Sequence, residues 1–154
     1  MKIVAIVGHK HTKKDYLATK LAENSDVEFI RPYVGIDLPN GIEPHEFGDY
    51  HIVLPQILED MMRSEEVLYS VDINGRTYVY FKFQMIKAYN VLITDDYGVI
   101  ALQDNWDGEL YTIFVKSAKQ EKSSRVGEYL TPSEFDEVFD IDVGDIDELE
   151  ARIV

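Results

Sequence analysis

The chain has 154 residues, 45% of them hydrophobic and 29% charged, with ten Tyr, seven Phe and no Cys; this is enough apolar bulk for one domain with a core, and it excludes disulfide frameworks, thiolate metal sites and thiol nucleophiles. Twenty-nine acidic residues against 15 basic ones leave a net charge of −14, a surface that repels phosphate backbones and anionic lipid at long range and so disfavours duplex nucleic acid as a partner. The opening apolar run is too short for a signal peptide and no later run nears the ~18 residues of a membrane span, so the expectation is a cytoplasmic protein with no membrane contact.

Residues 2–7 (KIVAIV) form a continuous β-branched apolar run, the pattern of a central strand buried on both faces of a parallel sheet. Gly8 breaks it and the polar loop HKHTKK follows. Leu17, Ala18, Leu21 and Ala22 then recur at helical spacing until Asn24 and Ser25 stop them. A second strand is expected at 27–30, ending at Arg31-Pro32. Residues 33–49, rich in Gly, Pro, Asp and Asn, read as a long substrate-side loop. A strand at 50–54 leads to Pro55, in the first turn of a short amphipathic helix carrying Ile57, Leu58, Met61 and Met62. A hairpin then pairs 67–73 with 76–83 about Asn74-Gly75. Residues 84–89 read as a weak helical turn, 90–94 (NVLIT) as a buried strand ending in Asp95-Asp96, and 98–103 as a short helix or turn. Another buried strand is expected at 110–115. Residues 134–139 and 146–153 read as terminal helices, begun by Thr131 or Ser133 and by Asp145. The sum is a single three-layer α/β domain, a parallel sheet flanked by helices, with an antiparallel insertion over about 31–83.

The loop GHKHTKKD at 8–15 carries the first candidate chemistry. A phosphate-cradling loop reads G-x-x-x-x-G-K-[ST]: a Gly for the tight turn, a Lys for the outer phosphates and a hydroxyl for magnesium, at the N-terminus of a helix whose N–H groups face the anion. Gly8, Lys14 and the strand–helix context fit, while Lys13 stands for the second Gly and Asp15 for the hydroxyl residue. A βα loop with solvated lysines is the competing reading. Asp95-Asp96, closing a buried strand, is either a turn cap or an anchor for metal-bound water, given where ligands sit in open α/β sheets. His9, His11, His45 and His51 lack the spacing of a metal site, and no G-x-S-x-G elbow is present. The acidic run FDEVFDIDVGDIDELE lacks the ligand spacing of a calcium loop and reads as a solvated face.

Over roughly residues 2–153 the order of these elements resembles the guanylate kinase family of P-loop nucleotide kinases. GDYHIV at 48–53 resembles the family's G-x-D-Y-x-F segment, EEVLYSVDINGRTYVYF at 65–81 aligns without gaps beside its acceptor-side hairpin, and VLITDDYG at 91–98 is similar to its L-D-I-D-x-x-G strand end. The resemblance implies a P-loop kinase-like sheet in which Gly8, Lys13, Lys14 and Asp15 hold the donor nucleotide, with Lys14 on the outer phosphates. Arg31, Tyr50 and Tyr78 would grip the acceptor phosphate, Asp95 would orient the base or magnesium, with Asp15 a second magnesium contact, and Arg125 in KSSRVGE would be the lid arginine. Tyr69 stands where the family reads guanine with a glutamate, and Val79-Tyr80 where it has Gly-Ser. The implied activity is phosphate transfer from ATP, with Mg2+, to a nucleoside monophosphate. The alternative is an inactive guanylate-kinase-like interaction module whose groove takes a peptide or phosphorylated partner. A third reading, an acidic occupant of a DNA-binding partner's basic groove, rests on charge alone.

Overall fold

The computed structural model describes residues 1–37, 50–73 and 75–154. In chain order the elements are β1 (Lys2–Gly8), α1 (Lys14–Leu21), β2 (Val27–Phe29), β3 (Tyr33–Gly35), β4 (His51–Val53), α2 (Pro55–Ser64), β5 (Val67–Ile73), β6 (Arg76–Phe81), β7 (Tyr89–Thr94), α3 (Asp96–Asn105), β8 (Glu109–Lys116), β9 (Glu137–Asp140) and α4 (Ile146–Ile153). They fall into two compact units, one of Met1–Phe29 with Ile86–Val154 and one of Ile30–Met85. Among the described residues no helix is long and apolar enough to cross a membrane.

The first unit is built on a five-stranded, all-parallel sheet of order β2-β7-β1-β8-β9. Its central strand is β1, because Ile3 to Val7 carry apolar side chains to both faces and all five are fully buried. Val4 and Ile6 share a cluster with Leu17, Ala18 and Leu21 of α1 and with Leu149 and Ile153 of α4. Helix α3 packs on β7 and β8 and buries Val99 and Leu102 outside that cluster. A parallel sheet with helices on both faces is the three-layer architecture expected from the alternating strand and helix signals.

One terminal helix expected from the sequence is replaced by a strand. Residues 132–134 make a single 3₁₀ turn and β9 follows, parallel to β8. Phe135, Val138 and Phe139 have helical spacing, but the backbone groups of 137–140 find partners along the edge of β8 and Phe139 reaches the core cluster; edge pairing and one buried ring outweigh a short helix with little else to bury. Thr131 and Glu134 form a capping box on the 3₁₀ turn instead. Asp145 does cap α4, its side chain accepting from the N–H groups of Asp147 and Glu148.

The second unit holds a four-stranded sheet of order β4-β3-β6-β5, in which β3 and β4 are parallel and the remaining pairs antiparallel. Residues 33–35, read as loop from their Gly-rich surroundings, are therefore a strand, and the insertion's sheet is mixed rather than antiparallel throughout. Residues 38–49, which include His45 and the start of the GDYHIV segment, and Asn74 of the hairpin turn lie outside the described residues. Helix α2 packs on β3, and Leu58 meets Val79 and Phe81 with Tyr33, Val53, Met61, Met62 and Val67 around them. Gly35 permits this approach: a Cβ there would lie 3.0 Å from the Pro55 Cα. The helical turn expected at 84–89 falls earlier, as one 3₁₀ turn over Lys82–Gln84 that ends β6 at Phe81. Its Gln84 accepts from the Phe81 N–H and donates to the Arg31 carbonyl, joining the two ends of the unit.

Candidate functional site

The carboxyl ends of β1, β7 and β8 come together where the strand order of the first unit reverses, the place where open α/β sheets bind ligands. The loop leaving β1 is tightly built. A Cβ on Gly8 would fall 2.7 Å from the Thr12 Oγ1 and 3.0 Å from the Val115 carbonyl, so only glycine lets the loop fold back here. Thr12 is fully buried and donates to the His9 carbonyl at 2.8 Å. Lys10 is pinned to Glu121 by a reciprocal pair of backbone hydrogen bonds, each 3.0 Å. His9 accepts from the Ser123 N–H through Nδ1 at 3.1 Å, which leaves its proton on Nε2. Burial, then the neighbouring Lys122, lowers the His9 pKa and keeps the ring neutral.

Two non-glycine residues of this loop are in the left-handed region, His11 (φ 66°) and Lys13 (φ 55°). Each such residue costs roughly 1–2 kcal/mol relative to the right-handed conformation. Lys13 occupies the N-cap of α1 and makes no side-chain cap. Left-handed residues alternating with others just ahead of a helix start are the backbone pattern from which anion nests are built. The Lys14 ammonium donates to the His9 carbonyl at 3.2 Å. Burial lowers the Lys14 pKa, and the neighbouring Asp15 carboxylate opposes that shift. Asp15 itself is exposed in the first turn of α1.

Across the switch point the turn between β7 and α3 holds the segment that follows β8. Asp95 caps α3 by accepting from the Gly98 N–H through Oδ1 at 2.9 Å, and its Oδ2 accepts from the Arg125 Nε at 2.6 Å. The Arg125 guanidinium also lies 4.1 Å from the Tyr97 ring centre. Asp96 is fully buried: its N–H donates to the Arg125 carbonyl, its Oδ2 accepts from the N–H groups of Tyr129 and Leu130, and its Oδ1 is buried without a partner. Further along, Asp142 accepts from the Ala118 N–H and the Ser117 hydroxyl, and those bonds, with Lys119 and Lys13 nearby, hold its pKa below the usual carboxylate range. Lys13 and Lys14 thus stand in the loop and Lys122 beside its His9, with Lys119 near Asp142 and Arg125 on Asp95.

In the second unit Tyr50 and Tyr78 meet edge to face, their ring centres 5.3 Å apart. Arg31 lies near His51, whose pKa is lowered by burial and then by that guanidinium, and His51 packs on Tyr33 at 4.7 Å. Of the residues singled out in the sequence, the structure therefore joins Lys14 to the loop backbone, Asp95 to Arg125, and Tyr50 to Tyr78. Sequence reasoning missed Thr12, Lys122 and the ring nitrogen of His9. Nothing in a one-dimensional pattern marks a loop threonine as a buried brace.

The parallel sheet of the first unit, with helices on both of its faces, defines a three-layer α/β fold. No protein-family model matches the sequence, and no curated protein matches it. Among solved structures, the crystal structure of guanylate kinase from Anaplasma phagocytophilum superposes with a TM-score of 0.63 at 16% sequence identity, covering 98% of this chain and 81% of that one. The fold is guanylate-kinase-like.

Proposed function

We propose that this chain is a guanylate-kinase-like nucleotide-binding protein whose loop at 8–15 holds the phosphate chain of ATP. One observation carries the reading: His11 and Lys13 keep left-handed backbone without being glycine, and strain of that kind persists where the surroundings over-determine it, commonly at ligand sites. In this reading phosphate oxygens take the N–H groups of the first turn of α1, and the Lys14 ammonium exchanges its bond to the His9 carbonyl for a phosphate oxygen. Arg31, Tyr50 and Tyr78 in the second unit offer one cation and two hydroxyls to an acceptor phosphate. Transfer between nucleotides needs little covalent participation by protein, only positioned phosphates and cations on the moving group.

A second reading keeps the fold and the phosphate nest without turnover, as an interaction module for a phosphorylated or peptide partner. Its support is specific. Arg125, the cation that a lid would bring to the transferring group, is engaged by Asp95 and Tyr97, and Asp15 places a negative charge where the P-loop pattern has a hydroxyl.

Isothermal titration with ATP, and separately with GMP, tests the reading, alongside a coupled assay for nucleoside diphosphate formation from the two. Binding of ATP, lost in Lys14→Met with the thermal midpoint little changed because a half-buried ammonium and its one bond to the His9 carbonyl are removed together, supports the nest. Turnover selects the kinase, and binding without turnover selects the module. Silence for ATP contradicts both uses of the loop.

A further inference from the structure

We infer that the loop at 8–15 binds nucleotide phosphates without a divalent metal. The inference rests on the phosphate-binding reading above and concerns which form of the ligand the loop takes. Magnesium in nucleotide sites is held by a hydroxyl and one or two carboxylates, together with phosphate oxygens and water. The residues that could supply those donors here are otherwise engaged. Thr12, the hydroxyl residue of the loop, is fully buried and its Oγ1 bonds the His9 carbonyl. Asp95 has one oxygen on the Gly98 N–H and the other on Arg125. Asp96 has a partner-free Oδ1, but that atom is buried, and the carboxylate's other oxygen ties down the backbone of Tyr129 and Leu130. Two exposed carboxylates remain at the loop: Asp15, whose charge already acts on the neighbouring Lys14, and Glu121, which lies 3.7 Å from the His11 ring. Among the described residues no group of three His, Asp or Glu side chains converges as a metal site.

The charge that a metal would neutralise is met by the protein instead. Lys14 donates into the loop, Lys122 lies beside His9, and Lys13 and Lys119 lie near Asp142. The Lys122 Nζ, which donates to the Val126 carbonyl at 3.1 Å, and the His9 Nε2 both lie 3.8 Å from the place a Cβ on Gly127 would take, so the segment after β8 carries a cation into the neighbourhood of His9. Ammonium groups and backbone N–H groups saturate phosphate oxygens as point charges and donors. A metal complex of the same nucleotide arrives with part of that charge cancelled and with no directed ligand set to receive it.

The test is isothermal titration of the full chain with ATP in excess EDTA and again in excess magnesium chloride. The inference expects ATP to bind in EDTA, with magnesium leaving the affinity unchanged within about threefold or weakening it. Binding in magnesium that is about tenfold or more tighter than in EDTA overturns the inference and leaves the phosphate nest standing. No heat in either buffer overturns both. Asp15→Ser gives a second readout: it removes the repelling charge and supplies the missing hydroxyl, so it should tighten ATP in EDTA and also create a magnesium response that the parent chain lacks. A parent chain that already shows the magnesium response of the variant contradicts the inference.

Discussion

The two units hold their candidate ligand residues by different means. In the first, polar bonds set the geometry: Thr12 and Lys14 converge on one carbonyl, Asp95 grips Arg125, and Asp96 fastens the backbone at 129–130. In the second, rings do it: Tyr50 against Tyr78, Tyr33 against His51 and Phe81, and Phe81 against Phe83. Directional bonds can hold a loop in a strained conformation without glycine, as at Lys13, because each bond opposes relaxation at a named atom. Ring packing tolerates side-chain adjustment and sets a surface rather than a point. The first kind of arrangement is what the proposed phosphate site requires, since phosphate oxygens need donors at fixed positions.

The largest effect that separates the two should come from the aromatic side. Phe81 is fully buried at the centre of the smaller cluster, so Phe81→Ala should cost about 3–5 kcal/mol in chemical denaturation. A loss below about 1 kcal/mol would mean that ring packing does not hold this unit. Asp96→Ala removes the acceptor of two backbone N–H groups and should cost about 1–3 kcal/mol, with faster hydrogen exchange at Tyr129 and Leu130 while β1 stays protected. Unchanged exchange there would break the contrast from the polar side. A double-mutant cycle on Asp95→Asn and Arg125→Ala should return a coupling of about 1–2 kcal/mol, as both side chains are mostly shielded and the bond is short and charge-assisted.

The smallest effect is on acidification, and it should appear in both units. His9 and His51 each have a folded-state pKa below 6.5, so the unfolded chain takes up protons first. Their contribution is complete above pH 6.5 and is lost as pH falls through the lower folded-state values. Glu137, held below 4.5 by the Arg152 hydrogen bond, and Asp142, held below 3.8, add a further loss in the same direction at lower pH. Thermal midpoints recorded from pH 7.5 downward should decline, and His9→Gln and His51→Gln should each flatten the first part of that decline. A midpoint that rises between pH 7 and 6 contradicts the lowered pKa of the two rings.

The frame of the first unit could be read from residue order because β1, β7 and β8 are buried on both faces, and such strands show as unbroken apolar runs such as KIVAIV and NVLIT. The short strands β3 and β9 could not. Tyr33–Gly35 sits among Gly and Pro and is held as a strand by pairing with both β4 and β6, and Glu137–Asp140 is an edge strand whose one buried ring, Phe139, falls in a helical spacing with Phe135 and Val138. At the site, Gly8, Lys14 and the Asp95-Asp96 turn stand out in the pattern, since turn chemistry and strand ends are local signals. That Asp95 faces Arg125, 30 residues away, is a tertiary fact with no local signature, and although the Thr12 bond to the His9 carbonyl spans three residues, its burial is set by the fold.

An anion nest at 8–15, as proposed, is open to direct test by backbone amide shifts recorded while inorganic pyrophosphate is added to the full chain. Saturable shifts concentrated at residues 11–16 are expected, with the Lys14 side chain responding alongside. Shifts spread evenly over the lysine-bearing surface, or absent from 11–16, would contradict it.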